Sequence, residues 1–572
     1  MVVGLLAGCA SLRQPLAPPP SAASDPTALT LTAEDALKRG DCRTAAEDYV
    51  KAVGGADARL ARRATEVAIA CEHLPAAWTA VSRWRVLAPS DRDADALYAL
   101  VALKLYRTAD ARAAVADYCR AVVAESAPES AAPDATRRPR GRDPGVRALA
   151  DLISLLLEET DAPAVLAAMS AVPEPTASQP QALALFGELA LAAYDGNRAE
   201  EYAMRALAHD PSDLAALHVL SHAYVLRGDA DHAIAIARTA VAADGVRGGL
   251  ELAEVLALLD RVEEAHHQLE SLRGTGGVPT ADIDRRLALL ALQSGDLKEA
   301  RLRFGALLAN GAGNDDTQLH LADIAARDGD PERAIAEYRR LYDSSVALPA
   351  RSRAAALLLS RVGHPDSART EALTLLDDYA NEHPEEELRL TLAKAHLLAD
   401  HGEADASLDV LATALERHPH HPSIEYDRAV ILEQAGHVHE SVSALEQLLA
   451  QRPDDPSLEN ALGYTLADHS LELPRAEGLI RRALTVMPDS PAALDSLGWV
   501  HFRRGDARGA AGTLERAYSI DHDAEIAAHW GEALWASGEQ GEARKVWASA
   551  LAREPESKPL KATLERFIPD AK

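Results

Sequence analysis

The sequence has few aromatic residues, few cysteines and no long apolar run. Of its 572 residues 4% are aromatic, and four are cysteine. No segment shows the alternation of β-branched and polar residues that marks a half-buried strand. No segment has the ~18 consecutive apolar residues that a membrane-spanning helix requires. We therefore expect an all-α chain that does not span a membrane.

Basic residues are scarce as well. Lysine and arginine total 59 against 88 aspartate and glutamate residues, which gives a net charge of −29. A general nucleic-acid-binding protein needs a basic face, so this class is excluded. The acidic surplus fits solvated helix faces, and the alternative is a surface for a basic partner.

Catalytic motifs are also missing from the sequence. It has no His-Glu-x-x-His pair, no Gly-x-Ser-x-Gly elbow, no phosphate loop and no dinucleotide fingerprint. His418, His420 and His421 fall in a loop between repeats, whereas His437 and His439 fall in the next turn. A helix of about a dozen residues separates the two groups by ~20 Å, so one metal ion cannot bind both. We expect a non-catalytic protein with no cofactor and no metal.

What the sequence does contain is an alanine that recurs about every 34 residues. A fixed period of this length indicates a solenoid of one repeated supersecondary unit. The two clearest runs are Ala199, Ala233, Ala265, Ala300, Ala334 and Ala368, then Ala476, Ala510 and Ala543. Weaker units continue the register at Ala45, Ala77, Ala114, Val165, Ser407 and Ser441.

The residues around each alanine also repeat. A large residue followed by glycine precedes the alanine, as in Leu462-Gly463, Leu497-Gly498, Trp530-Gly531 and Phe186-Gly187. This pair, the later alanine, a large residue and a closing proline together resemble the tetratricopeptide repeat, a hairpin of two helices. The resemblance predicts an all-α, superhelical tetratricopeptide-repeat solenoid of about fifteen helix hairpins.

Small residues explain the spacing physically. Glycine in the first helix and alanine in the second allow the two helices to approach closely. A further glycine, such as Gly295, Gly329, Gly436, Gly505 or Gly538, falls five residues before the recurring position. There the first helix must end, and glycine accepts the left-handed conformation of the turn.

The N-terminus resembles that of a bacterial lipoprotein. Leu6-Ala7-Gly8-Cys9 resembles a lipobox, so we expect residues 1–9 to be a lipoprotein signal and Cys9 to carry the lipid. Only eight uncharged residues precede Cys9, whereas a signal peptide has a positive n-region and about 7–15 apolar residues. We therefore expect the true start to lie upstream. Residues 10–30 are rich in proline, alanine and serine, which predicts a stiff, disordered tether.

Three further segments follow the tether. We expect N-terminal helical repeats over residues 31–125 and the main solenoid over residues 147–568. Between them, residues 126–146 hold four prolines and four arginines, and the register there lengthens to 51 residues between Ala114 and Val165. This segment predicts a solvated loop, and the alternative is a contact with lipid headgroups or an acidic partner.

The remaining cysteines lie in the N-terminal repeats. Cys42 and Cys71 are placed in the intra-repeat turns of adjacent hairpins, where turns stack side by side. A disulfide is possible there in an oxidising compartment, and two free thiols are the alternative. Cys119 falls on a second helix and is expected in the core.

The first helix of each repeat is expected to line the concave surface on which a partner binds. Counting from the Leu-Gly pair places seven residues there: Asn460, Tyr464, Asp495, Trp499, Phe502, Glu532 and Trp535. Four of them are aromatic, and aromatic side chains give large contact area with little entropy loss. The alternative is that some of these rings pack between helices.

The C-terminal segments carry a more specific resemblance. Glu459–Asp468, Leu494–Val500, Ala527–Trp535 and Ala543–Trp547 resemble a family of Gram-negative tetratricopeptide lipoproteins. A type in that family is the outer-membrane partner of the periplasmic carboxyl-terminal processing protease. The resemblance implies a lipoprotein facing the periplasm that binds this protease and presents peptidoglycan hydrolases for degradation. The alternative is a scaffold for other envelope machinery, such as secretion, pilus or polysaccharide export.

Overall fold

A computed structural model describes residues 25–54, 57–126, 144–275, 277–360, 365–419, 421–555 and 557–568. Within these ranges the chain forms 32 α-helices, one short 3-10 helix and no strand. The predicted all-α class is therefore confirmed. The lipobox with Cys9, most of the tether and most of the Pro/Arg-rich loop lie outside the described residues.

The chain divides into two compact units. The first comprises residues 1–105 and 109–133, and the second comprises residues 106–108 and 134–572. The helices α1 to α6 are Pro26–Lys38, Cys42–Ala52, Ala58–Ala70, Leu74–Leu87, Arg92–Lys104 and Thr108–Ser126.

The second unit holds α7 to α32, and successive helices pair into hairpins that pack on their neighbours. In chain order these helices are Pro144–Glu159, Ala162–Met169, Glu174–Ala177, Pro180–Ala192, Gly196–Leu207, Leu214–Leu226, Ala230–Ala243, Arg247–Leu258, Val262–Leu272, Thr280–Gln293, Leu297–Ala309, Asp315–Arg327, Pro331–Arg339, Ala347–Leu359, Pro365–Glu382, Glu387–Asp400, Ala404–Arg417, Pro422–Gln434, Val438–Gln451, Pro456–Asp468, Leu473–Val486, Pro491–Arg503, Ala507–Ile520, Ala524–Ser537, Gln540–Arg553 and Lys558–Phe567. The 3-10 helix, Pro384–Glu386, directly precedes α22.

The recurring alanine marks the second helix of every hairpin. All fifteen register positions lie on second helices; fourteen of these side chains are 0% exposed, and Ala368 is 4% exposed. The predicted count of about fifteen hairpins is confirmed. Among the α-helices of the described residues, only the four-residue α9 and the final helix α32 fall outside this scheme.

In the C-terminal hairpins the glycine of the Leu-Gly pair lies against the second helix of its own hairpin. A Cβ atom on Gly498 of α28 would lie 2.5 Å from Cγ of Leu514 on α29. A Cβ atom on Gly463 of α26 would lie 2.6 Å from Cγ1 of Ile480 on α27. Real Cβ atoms do not approach neighbours this closely in a packed core, so the crossing requires glycine.

Most of the described intra-hairpin turns use the left-handed conformation that the sequence predicts. Gly505 has φ of 92° and Gly538 has φ of 95°, each five residues before the register position. At the same place in other hairpins Tyr194 and Asp260 adopt φ of 55° and 58°. These two residues pay a steric cost that glycine avoids, so the hairpin geometry and not the residue type imposes the turn.

Two boundaries differ from those expected from composition. The first helix begins at Pro26, so the predicted end of the tether at residue 30 lies inside α1. Asp25 caps this helix, because its carboxylate accepts a hydrogen bond of 3.0 Å from the Thr27 amide. The seventh helix begins at Pro144, three residues before the expected boundary at 147. In both places proline occupies the first helical position, where its missing amide hydrogen costs nothing.

A disulfide joins two hairpins of the first unit. Cys42 is the first residue of α2 and Cys71 follows the end of α3, with 5.2 Å between their Cα atoms. Of the two alternatives, the structure has the disulfide. Cys119 is a buried free thiol on α6, and burial raises its pKa to about 11.

None of the helices in the described ranges has the length and apolar character needed to cross a bilayer.

The close crossing of α28 and α29 predicts the effect of adding one methyl group. Replacing Gly498 with Ala should force Leu514 aside and lower the unfolding free energy of the C-terminal hairpins by about 1–3 kcal/mol. The matched control is Gly512→Ala, because Gly512 is exposed within α29 and nothing lies within 4 Å of its added Cβ. The control should keep or raise stability by up to ~1 kcal/mol. Urea unfolding of both variants measures the difference, and equal midpoints would contradict the close-crossing argument.

Candidate protein-interaction surface

The first helices of the last three complete hairpins form one continuous surface. Helix α26 packs against α28, α28 packs against α30, and α30 packs against α32. The seven residues expected to bind a partner lie on these helices, with Asn460 and Tyr464 on α26. The other five are Asp495, Trp499, Phe502, Glu532 and Trp535, on α28 and α30.

Trp499 lies at the centre of this surface, and its own chain covers it. The side chain is 4% exposed, and its Nε1 donates a hydrogen bond of 2.9 Å to Oδ1 of Asp468 on α26. Its ring stacks on Phe502 with 5.0 Å between centroids and 18° between planes. The guanidinium of Arg503 lies 5.6 Å from the ring centroid. Trp499 therefore joins α26 to α28 and offers little area to a partner.

His529 completes the centre, although the sequence pattern did not single it out. Its ring stacks on Trp499 at 4.0 Å, and its Nδ1 lies 3.0 Å from each carboxylate oxygen of Asp495. Both His529 and Asp495 are buried. Burial alone would lower the pKa of His529, but the carboxylates of Asp495, Glu525 and Glu532 raise it to about 9. The ring is therefore charged at neutral pH and pairs with Asp495.

The sequence does contain a signal for His529, which is its separation from Asp495 along the chain. Asp495 and His529 are 34 residues apart, one repeat period, so they occupy equivalent positions on neighbouring first helices. An acidic residue and a histidine at that separation are placed side by side by the stacking of the hairpins.

Further carboxylates at the edge of the surface also have partners within the chain. Glu532 accepts a hydrogen bond of 3.2 Å from Thr563 and another from Arg566, both on α32, and burial raises its pKa. The Tyr464 hydroxyl donates a bond of 2.7 Å to Glu525, and burial together with Glu525 raises the pKa of this phenol. These bonds hold α26, α30 and α32 together.

The structure thus separates the seven expected contact residues into two groups. Asp495, Trp499 and Glu532 are buried and bonded within the chain, because the stacking of first helices covers them. Their burial leaves little area for a partner, and Trp499 packs between helices, which is the alternative that the sequence left open. The partly exposed group consists of Asn460, Tyr464, Phe502 and Trp535. This second group supplies the surface that a partner could touch.

Cationic side chains accompany the exposed rings. Arg544 lies 5.2 Å from the ring centroid of Trp535, which also packs near Trp547 and Phe567. The side chain of Arg566 is 58% exposed even though it bonds to Glu532. An otherwise acidic chain therefore presents arginine beside aromatic rings at this place, a combination enriched in protein-binding surfaces.

The histidine groups considered above are apart in the structure, as their spacing predicts. His421 precedes α24 and His437 precedes α25, so the whole of α24 lies between them. His420 lies outside the described residues. No group of metal-ligand geometry includes these histidines within the described part of the chain.

The charged state of His529 predicts a pH dependence of stability. Its pKa is about 9 in the folded chain against an ordinary value of 6.5. The stabilising charge is complete below pH ~6.5 and is lost as the pH rises through ~9, a change on the order of 3 kcal/mol. We expect the melting temperature of the C-terminal hairpins to fall over this range, and His529→Gln to flatten the fall. The control is His232→Gln on α13, because His232 is exposed. If the melting temperature of His529→Gln fell with pH as steeply as that of the wild type, His529 would not be the cause of the pH dependence.

Comparison with known proteins agrees with this architecture. The family model for the tetratricopeptide repeat matches residues 285–349 and 392–456. The chain is 32% identical over 218 residues to TPR repeat-containing protein PA4667 of Pseudomonas aeruginosa. That alignment covers 38% of this chain and 36% of the relative, so the chain spans about a third of the relative's length.

Solved structures of low identity also resemble the chain. Yeast Tom70 is 12% identical, with 73% of this chain and 93% of that chain covered and a TM-score of 0.34. TTC0263, described as a thermophilic TPR protein in Thermus thermophilus, is 23% identical, with 30% and 95% covered and a TM-score of 0.28. The repeat match over these two segments and the fifteen helix hairpins show the fold of a tetratricopeptide-repeat solenoid.

Proposed function

We propose that this protein is a non-catalytic lipoprotein adaptor of the outer membrane, facing the periplasm. It binds a carboxyl-terminal processing protease and helps to deliver cell-wall hydrolases for degradation. Tetratricopeptide repeats indicate a scaffold for protein–protein interaction. The identity of the partners, the protease and the hydrolases, is the proposed part. The observation that carries it is the surface of α26, α28 and α30, with its partly exposed aromatic rings and nearby arginines.

The chemistry of that surface suits a folded protein partner. Tyr464 and Phe502 supply rigid apolar area, and Arg503 and Arg566 can pair with carboxylates. The buried His529–Asp495 pair and the stack on Trp499 hold these side chains in place before binding. A preorganised surface loses less side-chain entropy on association, which favours affinity.

The segments that form this surface are also those whose sequence resembles the protease-associated lipoproteins. Glu459–Asp468, Leu494–Val500 and Ala527–Trp535 correspond to α26, α28 and α30. The sequence resemblance that suggests the partner and the surface that would bind it therefore involve the same residues. The absence of a recognised catalytic motif in the sequence agrees with delivery of substrates and not with hydrolysis.

A pull-down from detergent-solubilised envelopes tests the partner. We expect the intact protein to recover a serine protease together with peptidoglycan hydrolases. The double variant Tyr464→Ala/Phe502→Ala should lower that recovery about tenfold or more, because aromatic anchors dominate binding energy at such surfaces. Circular dichroism and thermal melting of the variant establish that it is folded.

The matched control for the pull-down is Leu302→Ala on α17, an apolar residue that is 67% exposed and lies on a second helix. This control should recover the partners at the level of the intact protein. Recovery of secretion, pilus or export components without the protease would favour the alternative scaffold. Equal recovery by the double variant would remove this surface from the interaction.

The anchor has a test of its own. Cells that express the full-length protein and are labelled with a palmitate analogue should incorporate the label at Cys9, and Cys9→Ala should abolish the incorporation. Cys119→Ala is the matched control, because that thiol is buried in the folded chain and should leave labelling unchanged. A wild-type protein that incorporates no more label than Cys9→Ala would contradict the lipid anchor.

A further inference from the structure

A second polar cluster lies on first helices near the middle of the chain. His218 and His222 are four residues apart on α12, so both rings point from the same side of the helix. Glu251 and Glu254 lie on α14, the first helix of the next hairpin, which packs against α12. Neither the histidines nor the glutamates were singled out by the sequence pattern.

Glu251 lies between the two histidine rings. One carboxylate oxygen is 2.8 Å from Nδ1 of His218, and the other is 3.2 Å from Nδ1 of His222. The side chains of Glu251 and His222 are 12% and 14% exposed. Ser221 donates a hydrogen bond of 2.6 Å to the same carboxylate. Two half-buried imidazoles therefore converge on one carboxylate that a hydroxyl holds in place.

These three groups match the ligand set of a transition-metal ion. One ligand atom from each of His218, His222 and Glu251 can be chosen so that all lie within 4.8 Å of one another. Tetrahedral zinc, with bonds of about 2.0–2.1 Å, holds its ligand atoms ~3.3 Å apart, a distance that small side-chain rotations reach. Two imidazoles and one carboxylate suit zinc and disfavour magnesium or calcium, which select oxygen ligands.

The geometry points to a zinc site: we propose that His218, His222 and Glu251 bind one Zn²⁺ ion between α12 and α14. Glu254 lies beside this site, with its carboxylate 3.7 Å from Nε2 of His222, and it is placed to fill the fourth position. The ion would join two neighbouring hairpins through their first helices. Its binding free energy would add to the stability of this part of the solenoid.

One further contact bears on how the histidines are oriented. Nδ1 of His222 lies 3.0 Å from the carbonyl oxygen of His218, so a proton on Nδ1 would leave Nε2 free as a ligand. Zinc binds the neutral form of a histidine ring, so the binding experiment belongs at mildly alkaline pH.

A second group of similar composition provides a matched control. Glu433, Asp468 and His469 also lie within 4.8 Å of one another, across α24 and the end of α26. This group has one histidine, and Asp468 already accepts the hydrogen bond from Trp499. Its donor set is poorer in nitrogen, and one of its carboxylates is engaged.

The experiment uses the full chain, purified with a tag that contains no histidine. Zinc binding is measured by competition with a chromophoric zinc chelator, for the wild type, His222→Ala, Glu251→Gln and the control Glu433→Gln. We expect one Zn²⁺ site in the wild type and in Glu433→Gln, and an affinity at least tenfold weaker in the two site variants. Glu251→Gln keeps the size of the side chain, so it serves if His222→Ala does not fold.

Cobalt supplies a spectroscopic signature of the same site. Co²⁺ added to the wild type should give visible absorption bands of a four-coordinate ion, and both site variants should lack them. Equal zinc affinity in the wild type and Glu251→Gln, or cobalt bands that persist in both site variants, would overturn the proposal. Weak binding in all four proteins would also overturn it and would leave the cluster as a set of ion pairs.

Discussion

The close contact between the two helices of each hairpin is the constraint on which the rest of the structure depends. The register position on the second helix is buried in all fifteen hairpins, and in the C-terminal hairpins a glycine of the first helix faces the second. At these crossings there is no room for a larger residue, so the hairpin keeps one geometry. That fixed geometry sets the turn, and the turn remains left-handed even where Tyr194 or Asp260 must adopt it.

Because the hairpins are uniform, the sequence separation of two residues determines whether they lie close together in space. Residues about one repeat apart meet on neighbouring first helices, as Asp495 and His529 do over 34 residues and His218 and Glu251 do over 33. Both clusters tie adjacent hairpins together through buried or half-buried charges, for which an unpaired member would be costly. The polar groups on the first helices therefore contribute to the stacking, and they also define the chemistry of the proposed binding and zinc sites.

The sequence predicts the fold closely and the surface only in part. Class and hairpin count follow from residues of small volume at a fixed period, because the crossing positions leave little room for a side chain. Counting from the Leu-Gly pair also places all seven expected residues on the right helices. It does not predict that Trp499 is covered, because the cover comes from Asp468 and His529 on neighbouring hairpins. The helix starts at Pro26 and Pro144 were not predicted, because the proline-rich composition around them suggested a tether and a loop. A proline at the first position of a helix is itself a start signal.

What the sequence by itself determined is the repeating element: the hairpin of two helices, the turn between them, and the small residue that lies at each crossing. These properties are local, and side-chain size and backbone conformation decide them within about 34 residues. What only the tertiary structure decided is the depth and partners of the side chains on the first helices. Burial of Trp499, the charge on His529 and the meeting of His218, His222 and Glu251 each require a neighbouring hairpin. Desolvation and ion pairing depend on the atoms that surround a group, and those atoms come from the next repeat.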